Sequence, residues 1–225
     1  RAVWVPDLPG FGDSDVPPGG GDADAVAPVL HAGLQALFGT TPVDVAAFSF
    51  GSLAAALMEA QAPGAIARLV IVGAPALALE RPLALRVWQH LPDEAARRAV
   101  HRHNLGVLML HDPAQLTDAV VDLHAANMAR DRMRSRRLVR TDAMARALQA
   151  LRCPLDAVYG RHDALYAGHW DRLEALLRTV PALRGVHHVE DAGHWVQHEA
   201  PAAVLGLLDR LLGEASLRQA GSSAS

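Results

Sequence analysis

Three residues in this sequence have types that could cooperate in breaking an acyl bond: Ser49, Asp163 and His194. A serine hydroxyl is a weak nucleophile until a base removes its proton and a third group orients that base. His194 is the candidate base and Asp163 the candidate orienting carboxylate. Ser49 has Ala47 two positions before it and Gly51 two positions after it. Small residues there let a helix leave a strand at a sharp turn with the serine at its apex. The N–H of Phe50 would then stand at the helix N-terminus, facing a site where an oxyanion could bind. Each residue also has a plainer reading: a helix cap for Ser49, a turn residue for Asp163, a solvated loop residue for His194. Their common placement favours the joint reading.

That placement follows from the elements around them. "VDVAAF" (43 to 48), "ARLVIVGAP" (67 to 75), "LDAVYG" (155 to 160) and "GVHHVED" (185 to 191) have the apolar runs of buried strands, and "AVWVP" (2 to 6) reads as a further short one. Helical spacing covers 23 to 39, where Val26, Leu30, Leu34, Leu37 and Phe38 fall on one side, and also 52 to 62, 168 to 179 and 200 to 213. Strands alternating with helices predict a parallel α/β sheet covered on both faces. Function collects at the carboxyl ends of such strands. Ser49, Asp163 and His194 each follow one.

The motif Ala47-Phe48-Ser49-Phe50-Gly51 resembles the G-x-S-x-G nucleophile elbow with alanine in place of the first glycine. Together with "VPDLPGFGDSD" (5 to 15), where Asp7, Pro9, Gly10, Gly12 and Ser14 match the turn after the family's fourth strand, it makes the chain resemble the α/β-hydrolase-fold family. Residues 1 to 80 and 150 to 213 follow the family order. The resemblance implies strands and an HG-containing loop ahead of the fourth strand, the loop supplying a second oxyanion donor. The expectation is therefore of a fragment that keeps the triad, has one oxyanion donor in the Phe50 N–H, and turns over slowly.

Residues 81 to 150 form the expected helical cap, inserted between the first part of the core (1 to 80) and the second (151 to 215); 216 to 225 is expected to be a disordered tail. In the cap, "LALRVWQHLP", "EAARRAVHRHNLGVLML", "PAQLTDAVVDLHAANMARDRMRSRRLV" and "DAMARALQAL" read as helices, with Asp93, Thr117 and Asp142 near their starts. Arg130, Arg134 and Arg137 recur at helical spacing, as a solvated face or as a clamp for a substrate carboxylate. "GHWVQHE" and the cap are similar to meta-cleavage-product hydrolases, which cut carbon–carbon bonds in dienoates, and to related carboxylesterases. In the former a cap arginine three residues before an asparagine grips the substrate acid. Here His101 stands at that spacing before Asn104, with Arg102 beside it. The departure leaves the dienoate substrate open. Phe48, Arg102, Asn104 and Trp195 are the candidate substrate contacts, Trp195 reading equally as an ordinary apolar contact. Dehalogenases and epoxide hydrolases of the fold use an aspartate in the elbow, so Ser49 argues against both.

Composition narrows the partners. The 225 residues are 51% apolar, enough for a large core, and carry a net charge of -3, which offers nucleic acid or anionic membranes no general attraction. All 21 basic residues are arginine, and the single Cys153 rules out an internal disulfide framework. A cytoplasmic location is the default expectation. The pairs His101/His103 and His187/His188 lack nearby sequence partners for a metal site, so neither metal nor cofactor is expected. The reading is a cofactor-independent serine hydrolase of a small-molecule ester or related acyl compound, with Ser49, Asp163 and His194 catalytic and Phe50 at the oxyanion. Carbon–carbon bond hydrolysis and a non-catalytic ligand-binding protein on the same fold are the alternatives; self-association is left open.

Overall fold

The computed structural model describes residues 2 to 18, 20 to 133 and 135 to 213. Helix α1 (Ala23–Phe38) begins where the Asp22 carboxylate accepts the N–H of Ala23. Strand β1 (Val43–Phe48) follows, then α2 (Phe50–Gln61) and β2 (Ile66–Val72). A long crossover carries α3 (Glu94–Asn104), α4 (Asp118–Ala129) and α5 (Ala143–Gln149). The chain then forms β3 (Leu155–Gly160), α6 (Trp170–Leu177), β4 (Leu183–Val189), α7 (Val196–Glu199) and α8 (Pro201–Gly213).

The sheet has four parallel strands in the order β1-β2-β3-β4. Strands laid down progressively in one direction by right-handed crossovers send their connecting helices to one face. Accordingly Leu53, Met58, Met144, Leu148, Leu173 and Leu177, from α2, α5 and α6, pack with Leu69, Ile71, Leu155 and Ala157. On the opposite face, Val70, Val72 and Val158 meet Val204, Leu207 and Leu211 of α8. Alternation along residues 69 to 72 of β2 thus feeds both cores, which is why that part of the strand is a continuous apolar run.

The strands 43 to 48 and 155 to 160 stand where the sequence places them, and the other two lie within two residues of their expected starts. Residues 2 to 6 do not form a strand. Val3, Trp4 and Val5 are 81%, 64% and 88% exposed, and Trp4 rests edge-on against Phe38 of α1 at 5.8 Å. A strand needs a neighbour's backbone groups, and among the described residues β1 pairs with β2 alone.

Three corrections fall between β2 and β3. The segment 83 to 92 is not helical: Asn104 pairs with both backbone groups of Arg86, at 2.8 and 2.9 Å, and His103 Nε2 lies 2.8 Å from the Ala84 carbonyl. These side chains occupy the groups a helix would use. The helix from 94 continues past Asn104 as a π-helical turn, Leu105–Met109, rather than as α-helix. The segment 113 to 139 breaks into a 3₁₀ turn at Pro113–Gln115, α4, and another 3₁₀ turn at Leu138–Arg140. After Ala129 the chain is drawn toward the 7 to 15 turn, where the Arg132 N–H donates to the Gly10 carbonyl at 2.8 Å. Asp93 and Thr117 cap α3 and α4 with their side chains; Asp142 precedes α5 without a capping bond and pairs with Arg146. Residue 134 and the expected tail at 216 to 225 lie outside the described residues.

Candidate active site

Ser49 occupies the single residue between β1 and α2. Its N–H closes the β1–β2 ladder by donating to the Val72 carbonyl at 2.8 Å, and its own carbonyl accepts the Ser52 N–H at 2.9 Å as α2 begins. One residue therefore ends a strand and starts a helix. The backbone meets both demands at φ 49° and ψ −119°, in the left-handed half of conformational space, where a residue bearing a Cβ is strained by about 1–3 kcal/mol. The side chain makes no capping bond to α2. It points instead to His194, with Oγ 2.9 Å from Nε2. The helix-cap reading of Ser49 is thereby excluded in its side-chain sense. Beneath the turn, Ser52 is buried and its hydroxyl donates to the Ala47 carbonyl at 2.6 Å.

Asp163 and His194 reach Ser49 from the ends of β3 and β4. Asp163 is 0% exposed and its Oδ2 lies 2.8 Å from His194 Nδ1; its Oδ1 accepts the Leu165 N–H at 2.9 Å. A carboxylate can only accept, so the imidazole proton resides on Nδ1. Nε2 is then the acceptor for the Ser49 hydroxyl. His194 is 1% exposed, and the ring of Phe48 packs against it with centroids 5.1 Å apart. Behind Asp163 lie Tyr159 and Tyr166. Burial holds both phenols well above the usual tyrosine range, and the negative charges of Asp163 and Glu80 push the same way. They remain neutral donors, the Tyr166 hydroxyl lying 2.5 Å from the Ala74 carbonyl.

The site leans on glycines that were not singled out from sequence. A Cβ on Gly160, at the end of β3, would fall 2.0 Å from the Gly193 carbonyl, so the histidine loop crosses directly over the aspartate strand. A Cβ on Gly73 would fall 3.1 Å from the His194 ring. Glu199, in the "GHWVQHE" stretch, is another residue that sequence reasoning passed over. Its carboxylate accepts three backbone N–H groups around the histidine loop. The only signal was an acidic residue shortly after the histidine, which is common on any surface helix.

Phe50 is the first residue of α2, so its N–H has no earlier carbonyl within the helix to donate to. The other candidates are placed less simply. Arg102 pairs with Asp118 and donates to the Leu116 carbonyl at 2.7 Å. Asn104 is committed to the backbone of Arg86. Trp195 packs beside Leu105, Leu110, Val120 and Val121 and stacks on His198, with its N–H donating to the Met109 carbonyl at 2.8 Å.

The arginine-rich stretch has a mainly structural use. Arg130 pairs with Asp13 at 2.6 Å and the Arg132 guanidinium donates to the Gly12 carbonyl at 3.0 Å, which ties the end of α4 to the 7 to 15 turn. Within that turn Asp7 accepts the Asp13 N–H at 2.9 Å, and Gly12 has φ 54° with no room for a side chain beside the Asp7 carboxylate. His187 and His188, neighbours on β4, point to opposite faces and meet different carboxylates, Asp156 at 2.9 Å and Glu174 at 3.0 Å. Both partners come from distant elements, which a local reading of the sequence misses. Among the described residues no three His, Cys, Asp or Glu side chains converge on a metal-sized site, and no helix is long and apolar enough to cross a membrane.

A parallel sheet with these turns at its carboxyl ends defines an α/β hydrolase, and residues 1–207 match the model of the alpha/beta hydrolase family. The chain belongs to that family. Among solved structures it is similar to a thermophilic esterase from Thermogutta terrifontis, with a TM-score of 0.65 and 22% identity over 93% of this chain and 79% of that one. It is also similar to a meta-cleavage product hydrolase from Pseudomonas fluorescens IP01, with a TM-score of 0.71 and 20% identity over 94% and 79%. A serine hydrolase from Cycloclasticus zankles aligns with a TM-score of 0.63 and 17% identity over 89% and 75%. At these identities the likeness concerns the fold. No curated protein sequence matches significantly.

Proposed function

We propose that this chain is a serine hydrolase acting on an ester or related acyl substrate, with Ser49 as nucleophile, His194 as base and Asp163 as the carboxylate that orients it. The observation carrying this reading is the hydrogen-bonded line from Ser49 Oγ to His194 Nε2 at 2.9 Å and from His194 Nδ1 to Asp163 at 2.8 Å, its serine held at positive φ. Ser49 Oγ attacks the acyl carbonyl as Nε2 takes its proton. Asp163 stabilises the imidazolium without itself becoming protonated. The carbonyl oxygen, now negative, is held by the Phe50 N–H, and each such donor contributes about 10²–10³ in rate. The tetrahedral species collapses when His194 returns the proton to the departing oxygen, leaving an acyl group on Ser49. Water, deprotonated by His194, attacks that ester and releases the acid. Residues 81 to 150 act in this proposal as a cap over the site.

A fluorophosphonate should label Ser49, and Ser49→Ala should abolish labelling while leaving the fold intact. Undiminished labelling of the alanine variant would remove Ser49 from the mechanism. A panel of 4-nitrophenyl esters of graded chain length, run beside a 2-hydroxy-6-oxo-dienoate, then reads out the bond broken. Turnover of the esters alone supports this proposal, and turnover of the dienoate alone would replace it with carbon–carbon bond hydrolysis.

A further inference from the structure

The backbone on both sides of His194 is bound to one short stretch between α3 and α4. Trp195, the residue after the histidine, donates its N–H to the Met109 carbonyl at 2.8 Å. Gly193, the residue before it, donates its N–H to Glu199 Oε2 at 2.6 Å. The other oxygen of the same carboxylate, Oε1, accepts the N–H groups of His111 at 2.7 Å and Asp112 at 2.8 Å. There is little slack in this arrangement. A Cβ on Gly193 would lie 2.9 Å from the His111 nitrogen and 3.1 Å from Glu199 Oε2, and on the far side the Gly193 carbonyl presses on Gly160.

The chemistry of the joint requires a carboxylate. Three N–H donors converge on two oxygens that have only lone pairs to offer, and bonds to an ionised acceptor are shorter and roughly twice as strong as neutral ones. A glutamine in the same place would present one oxygen and turn an NH₂ group toward an N–H.

We propose that Glu199 is a positioning residue for the triad: its carboxylate sets where His194 stands against Ser49 and makes that position depend on the docking of residues 109 to 112. This rests on the triad reading given under Proposed function. If the 109 to 112 stretch lifts, it pulls on Gly193 through Glu199 and on Trp195 directly. The contact that lengthens is the one from Nε2 to Ser49 Oγ.

The experiment uses the chain carrying Glu199→Gln, alone and combined with His194→Ala, and reads two quantities. The first is amide hydrogen exchange at His111, Asp112 and Gly193, expected to quicken by about 10-fold on loss of the shared acceptor while the amides of β3 stay protected. The second is the rate of Ser49 labelling by a fluorophosphonate, expected to fall by about 10²-fold, the scale of a displacement near 1 Å. In the His194→Ala background the glutamine should cost nothing further. An equal fractional loss in both backgrounds, or unchanged exchange at Gly193, would overturn the positioning role while leaving the triad standing. A His194→Ala chain that labels at the full rate would sink the triad and the positioning role with it. Should the glutamine variant fail to fold, Glu199→Asp, which keeps the charge and is too short to span the three donors, takes its place in the same measurements with the same criteria.

Discussion

The ring of His194 sits against the space where Gly73 lacks a side chain. A Cβ there would stand 3.1 Å from both Cε1 and Nδ1 of the imidazole and 3.4 Å from the Phe48 ring. Gly73 ends the β2 ladder by donating to the Val158 carbonyl at 2.9 Å, and its φ is 55°. The strand whose end carries none of Ser49, Asp163 and His194 thus contributes the wall against which the histidine rests.

Gly73→Ala should therefore act on rate more than on folding. The left-handed backbone costs an alanine about 1–2 kcal/mol, while the methyl pushes the ring off Asp163 and Ser49. Turnover should drop by about 10²-fold, with a cooperative urea transition retained. Wild-type turnover in a folded variant would show that the ring has room to move.

Two aspartates lie near His194 in sequence or in space, and they should differ sharply. Asp163→Asn removes the acceptor that fixes the Nδ1 proton and should lower turnover by about 10⁴. Asp191 is exposed and sits three residues before the histidine on the same chain segment, so Asp191→Asn should leave the rate within about two-fold of wild type, the small effect expected of a surface change. Steady-state kinetics on one ester settles the ranking, and the reverse order would mean that the orienting carboxylate is misassigned.

Ser52, three residues from Ser49, has a structural use that should be separable from the chemistry proposed for Ser49. Its hydroxyl donates to the Ala47 carbonyl at 2.6 Å and accepts the Val72 N–H at 3.3 Å, joining the ends of β1 and β2 in a fully buried position. Ser52→Ala should lower stability by about 1–3 kcal/mol, the cost of leaving such groups unpaired, and fluorophosphonate should still label Ser49. Loss of labelling in a folded Ser52→Ala chain would contradict this division.

His124 on α4 makes stability depend on acid. Burial, and then the neighbouring imidazole of His101, lower it from 6.5 to about 4. The folded chain keeps this ring neutral where an unfolded one protonates, so its contribution is full above about pH 6.5 and is lost as pH falls toward 4. Urea midpoints at pH 7 and pH 4.5 should draw closer together in His124→Gln than in the wild type. An unchanged gap would place the acid sensitivity elsewhere.

How the site assembles marks the limit of sequence reading. Strand runs such as "VDVAAF" and "LDAVYG" are short apolar-rich stretches bounded by turns, a largely local signal, so β1 and β3 fall where the sequence puts them, although only β3 is buried throughout and β1 is half-buried to exposed. Their ends carry Ser49 and Asp163, and the rule that parallel sheets present function at those ends needs no coordinates. The segments 2 to 6 and 83 to 92 went the other way because their backbones are settled by partners: a strand by the neighbour it pairs with, and the latter segment by His103 and Asn104. The contacts that tune the site were equally invisible. Gly73 against His194, Gly160 beneath Gly193, and Glu199 gathering His111, Asp112 and Gly193 all join residues whose proximity exists only after the strands are side by side. Local pattern fixes what the backbone does by itself, and so the sequence determined the sheet and the three side chains proposed to react. Tertiary structure decided the distances between them, because hydrogen bonds and steric limits between distant segments depend on packing that no local pattern contains.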